Sequence, residues 1–319
     1  MLGIMAAMDE SELATVPSGV ADGDRLEPPV AGPWIGLRGR LAQPFWGWIG
    51  AWAVLCGALA SNSLRWEAEA LLALALTLLL AELAWGSLWD LAVGTAWFRP
   101  LAEGWPPSRA APAAALPYTQ PGSPGGRLAL RLGRLAAWWR ASFWPAAGPA
   151  LLGLLAALIL TAVLALLLPN RLRPLYAALA ALGGLGVVQR RRGRDPLAAQ
   201  ALVRVGLSWL AGHAALSEVG VASVVLGLAF SLAAWGLLRL GAGLGRGLWL
   251  LNGGQIVEVA VLVGVRQPVA AGVAGLLLFG QVAMQPALLY GGGLAHQTIS
   301  RRSWPWLVAA MLVAAWALP

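Results

Sequence analysis

The chain has 319 residues, of which 59% are hydrophobic and only 11% charged, against about 25% charged in an average soluble domain. All 22 basic residues are arginine, 14 residues are acidic, and the mean hydropathy is +0.71. That is too little polar surface for a soluble enzyme and too little charge for a disordered chain. The single cysteine, Cys56, excludes a disulfide-built secreted scaffold. The basic balance does not argue for nucleic acid as a partner either, because the arginines are spread between apolar stretches. The composition is that of an all-α, polytopic membrane protein.

Residues 1–44 stand apart from the rest. The first 27 hold six acids (Asp9, Glu10, Glu12, Asp22, Asp24, Glu27) and one arginine, and Pro28, Pro29 and Pro33 follow. No basic segment precedes an apolar core here, so a cleavable signal peptide is not expected. The stretch reads as a disordered cytoplasmic tail with Met1, Met5 or Met8 as its start, ahead of a transmembrane domain over 45–319.

Nine apolar stretches have about the length a helix needs to cross roughly 30 Å of hydrocarbon. They cover 45–61, 70–92, 147–168, 174–189, 198–216, 219–238, 247–265, 268–290 and 303–318. The runs are continuous rather than alternating, so helices are expected. With the N-terminus inside, 17 arginines fall in inner segments and four (Arg65, Arg171, Arg173, Arg266) in outer loops, while Arg204 lies within the fifth span. This bias predicts nine spans, N-inside and C-outside, in the cytoplasmic membrane of a prokaryotic cell. Many of the 18 tryptophans, among them Trp48, Trp66, Trp97, Trp144, Trp249 and Trp304, fall near span ends, where they anchor in the headgroup layer.

The connection over about 93–146 is the one sizeable loop. Residues 105–126 are rich in Pro, Ala and Gly. Over 127–143, Arg127, Arg131 and Arg134 gather on one helical face, and Leu128, Leu132, Leu135, Trp139 and Phe143 on another. That pattern predicts an amphipathic helix in the inner interface, or a lid over a cytoplasmic cavity. The lipid bilayer is the expected partner, with anionic headgroups against the Arg-rich inner face, including Arg190–Arg194.

Polar groups at membrane depth are the candidate site residues. In the second span they are Glu82 and Asp90, with Glu82, Trp85 and Trp89 spaced to share a face. In the fifth they are Arg204 and His213, with Ser208 a turn from Arg204. In the seventh Asn252, Gln255 and Glu258 step by three, and in the eighth Gln281 and Gln285 lie a turn apart. Pairing of Arg204 with Glu82 or Glu258 would neutralise the set. Two readings are open for these groups: interhelical hydrogen bonds that glue the bundle, or a substrate or proton pathway. Gly183, Gly184, Gly186, Gly253 and Gly254 are expected to let helices approach closely.

No soluble-enzyme motif is present. Without lysine there is no Walker loop, and two histidines 83 positions apart with one cysteine make no zinc site. The run Gly241 to Gly247 is glycine-rich and flanked by Arg239 and Arg246. It reads as a tight cytoplasmic turn or as an anion site built from its amides.

Trp89-Asp90 at the inner end of the second span, followed by Arg99-Pro100-Leu101-Ala102-Glu103-Gly104, resembles the first Asp-rich motif of the UbiA-type membrane prenyltransferases. Nine spans with this orientation are similar to that family as well. The resemblance implies a bundle that takes an isoprenoid, with Asp90 as candidate catalytic residue, Arg99 as ligand contact, and Mg²⁺ only if the prenyltransferase chemistry holds. Asp90 alone matches an aspartate of the motif, and residues 239–248 contain no carboxylate. What the resemblance then implies is a non-catalytic bundle binding an isoprenoid, lipid or pigment, or assembling with other membrane subunits. An enzyme acting on a polyprenyl diphosphate and a small-solute transporter using Glu82, Arg204 and Glu258 are the alternatives.

Overall fold

The computed structural model describes residues 48–95, 97, 120, 122–289 and 295–318, without the side chains of 287–289. The acidic tail, Arg99 and most of the Pro-rich stretch lie outside these residues. All regular structure among the described residues is helical. In chain order the helices are α1 (Ile49–Ala60), α2 (Ala68–Gly94), α3 (Pro124–Leu167), α4 (Asn170–Arg191), α5 (197–216), α6 (Val221–Gly241), α7 (Gly247–Gly264), α8 (Pro268–Leu289) and α9 (Ala295–Ala317).

Six of these, α2, α3, α4, α6, α7 and α8, are long and apolar enough to cross a membrane, which marks an integral membrane protein. α1 has 12 residues, a rise of about 18 Å. α5 carries Arg204 and His213, and α9 carries His296, Arg301 and Arg302 near its start.

Three helices contain a wider π-helical turn: Leu79–Trp85 in α2, Trp139–Phe143 in α3 and Leu202–Leu207 in α5. Each adds a residue to the local turn and rotates the remainder of its helix about the axis. This corrects the expectation that Glu82, Trp85 and Trp89 share a face. Glu82 turns to α1, while Trp85 and Trp89 enter a core with α4, Trp85 meeting Tyr176 edge-on with ring centroids 5.8 Å apart.

The amphipathic segment 127–143 is helical, as expected, and continues directly into the apolar helix that follows: α3 runs for 44 residues, with a π-turn at Trp139–Phe143 and Pro149 inside it. Ser123 starts it by accepting the Gly126 N–H at 3.0 Å, with Pro124 in the first turn. Leu128, Leu132, Leu135 and Trp139 stay exposed along it.

Two apolar clusters hold the bundle together. One joins α1, α5, α6, α7, α8 and α9, and the other joins α2, α3, α4 and α5. α5 belongs to both: Ala201, Val205 and Trp209 face the first, and Ala199, Val203, Leu207, Ala211 and Ala214 face the second. Close approach without side chains fixes the contact between α1 and α5. A Cβ on Gly57 of α1 would overlap the Trp209 carbonyl, and one on Gly212 would overlap the Val54 carbonyl. α6 and α7 meet the same way at Gly236, Gly247 and Gly254. Of the glycines expected at contacts, Gly186 packs under Trp89 and Val93 and Gly254 under Ala229 and Ala233, whereas Gly183, Gly184 and Gly253 have open space.

Candidate functional site

Two groups of polar side chains join helices of the bundle. The first surrounds the start of α1. The opening amides of a helix lack intrahelical partners, and the helix dipole makes that end positive. Glu82, carried on the π-turn of α2, supplies the acceptor: its Oε1 takes the Ala51 N–H at 2.7 Å. Gly50 makes the approach feasible, since a Cβ there would stand 2.6 Å from that oxygen and 3.4 Å from the Arg204 carbonyl. The Arg204 guanidinium, on the π-turn of α5, reaches the other way and binds Asp90 Oδ1 through Nη2 at 2.7 Å. Arg204 therefore pairs with Asp90, not with Glu82 or Glu258. The pair is partly open, at 30% and 47% side-chain exposure, and ties the end of α2 to the start of α5. Near it, Trp97 donates Nε1 to the Leu91 and Ala92 carbonyls at the end of α2.

The second group lies between α7 and α8. Short turns make these helices antiparallel, so positions three or four apart on each can face each other in register. Asn252 and Gln285 exchange two amide hydrogen bonds, 3.2 and 2.9 Å long. One turn along, Gln255 donates Nε2 to Gln281 Oε1 at 2.9 Å. Gln255 Oε1 and Gln281 Nε2 remain buried without a partner, and so does Glu258 Oε1 on the next turn. Gln255, Gln281 and Glu258 are 2%, 1% and 1% exposed. Unanswered buried polar atoms are rare enough in native proteins to call for an explanation.

His213 belongs to neither group. Trp209 donates Nε1 to Ser223 Oγ at 2.9 Å, Ser223 Oγ lies 3.1 Å from His213 Nδ1, and His213 Nε2 lies 3.1 Å from the Glu218 carbonyl. A carbonyl only accepts, so Nε2 donates to it and Nδ1 takes the Ser223 hydroxyl. Both ring nitrogens are satisfied, and the chain staples α5 to α6.

In the glycine-rich turn between α6 and α7 most of the amides are taken up within the turn. The amides of Ala242, Gly243 and Leu244 donate to the carbonyls that end α6, and those of Gly247 and Leu248 to the turn itself. Gly243 has φ +78, which closes the turn. Arg239 lies over the Trp235 ring at 5.9 Å, and Arg246 is exposed. Two features carried no sequence signal: the capping of α1 by Glu82, and Ser223 as the link between Trp209 and His213.

Magnesium on a diphosphate needs several oxygen ligands. Asp90 is held by Arg204, and among the described residues no three His, Cys, Asp or Glu side chains come together. This donor set does not fit the metal. Comparison of the chain with known protein families, characterised proteins and solved structures gives no match.

Proposed function

We propose that this chain is a nine-crossing protein of a prokaryotic cytoplasmic membrane, N-inside and C-outside, which binds and passes a small polar solute through the layer between α7 and α8. The observation that carries the reading is the set of unpartnered atoms on Gln255, Glu258 and Gln281 in adjacent turns of that interface. Glue between helices uses matched pairs, as Asn252 and Gln285 do. A binding centre keeps capacity in reserve. The arginine bias supports the orientation, with anionic headgroups at the Arg-rich end.

The test is charge movement by the full-length chain in liposomes on a solid-supported membrane, pulsed with a panel of small amines, amino acids and sugars. At least one class is expected to evoke a current that Glu258→Gln removes at equal protein content. Silence across the panel would sink the reading.

A second reading has its own support. The apolar stretches of α3 and α4 are 17% and 22% buried, against 56% for α6. Such open faces suit a bundle that holds an isoprenoid, lipid or pigment, or that assembles with other membrane subunits. Mass spectrometry of what co-purifies in mild detergent tests it, and an empty, monomeric protein would end it. On this second reading the helices are arranged as in the UbiA-type enzymes, without their metal chemistry.

A further inference from the structure

The unanswered atoms between α7 and α8 fall into an unequal count. Gln255 Oε1 and Glu258 Oε1 can only accept, and Gln281 Nε2 can only donate. With Glu258 ionised, its carboxylate adds acceptors and no donor, so the layer has a surplus of lone pairs. One proton on Glu258 lowers the surplus: the carboxylic acid brings an O–H where the carboxylate has none.

The charge count agrees. A carboxylate sealed in a bundle needs a cation, and the elements packed around it offer none at its level. α8 has no ionisable residue. α6 has only Arg239, in its last turn. Gly254 packs against Ala229 and Ala233, which sets Glu258 about one turn further from Arg239, roughly 20 Å along the axis at 1.5 Å per residue. His296, Arg301 and Arg302 of α9 belong to that helix's first turns, and Gly280, near Glu258's level, packs against Trp306 beyond them. The three atoms are also closed to bulk solvent. A proton is the smallest cation that can neutralise a carboxylate in so closed a place.

We propose that Glu258 is a proton-binding site, a carboxylate that takes one proton and gives it up within the Gln255–Gln281 layer. The site deepens the transport reading, on which its use as a coupling ion rests, while proton binding itself is testable without transport.

The experiment is infrared spectroscopy of the full-length protein in liposomes, titrated from acid to alkaline. The expected result is a carboxylic-acid carbonyl band that fades as pH rises, is lost in Glu258→Gln, and remains in Glu82→Gln and Asp90→Asn. Glutamate labelled with heavy carbon at its carboxyl should shift the band in the unmutated chain, which keeps the test informative if the variant misfolds. Absence of the band at every pH, failure of the label to shift it, or its survival in Glu258→Gln overturns the proposal. A titrating band without any solute-evoked current keeps the proton site and removes transport. A current without the band does the reverse.

Discussion

Around the start of α1 both carboxylates are answered, though Arg204 Nε is buried without a partner, whereas between α7 and α8 three atoms on neighbouring turns go unanswered together. Glu82 meets an orphan amide at a positive helix end, and Arg204 meets Asp90. In the amide layer Asn252 and Gln285 are matched, but the next two turns keep two acceptors and a donor unanswered. Depth alone does not separate function from architecture in a membrane bundle. The balance of donors and acceptors does, because a matched pair lowers the free energy of the fold and an unmatched atom raises it.

The largest effects should strike both regions alike. Gly212→Leu drives a side chain into the α1 backbone, and Gly254→Leu does so into α6. Each should cost about 3 kcal/mol or more, read as loss of monodisperse protein after extraction. Either one folding normally would show that these crossings do not position the two groups.

Next comes the matched part of the α7–α8 layer. Asn252→Leu strands both amide groups of Gln285 and should cost about 1–3 kcal/mol, while Asn252→Leu with Gln285→Leu should recover most of it. A double variant as unstable as the two single losses combined would mean that the pair is not the unit. Glu82→Met removes the acceptor at the start of α1 and should cost about 1–2 kcal/mol in reversible unfolding. Arg204→Met should be milder, about 0.2–1 kcal/mol, because the Asp90 pair is half-exposed. Its penalty should shrink in high salt, and a salt-independent loss would place the role of Arg204 elsewhere.

The sequence shows the helices well because apolar continuity is a local property. The helices α4 to α8 lie on the stretches expected at 174–189, 198–216, 219–238, 247–265 and 268–290 to within a few residues. Charge pairing was not legible, because it depends on rotation about helix axes. The extra residue in each of the turns Leu79–Trp85 and Leu202–Leu207 redirects the chain by a fraction of a turn, and periodicity cannot carry that. That is why Glu82 parts from Trp85, and why Arg204 finds Asp90. The step of three from Asn252 to Glu258 was legible as one stripe. Its facing residues on α8 were legible too, but not which atoms would be left without a partner.

The contrast rests on one comparison above all: the unfolding free energies of Glu82→Met and Glu258→Met against the unmutated chain, in the same lipid. Glu82→Met is expected to be less stable by about 1–2 kcal/mol. At alkaline pH, where Glu258 would be ionised with no cation beside it, Glu258→Met is expected to match or exceed the unmutated chain, since an apolar side chain of similar size replaces a buried unpaired charge. An equal loss in both variants would make Glu258 part of the glue and contradict the account.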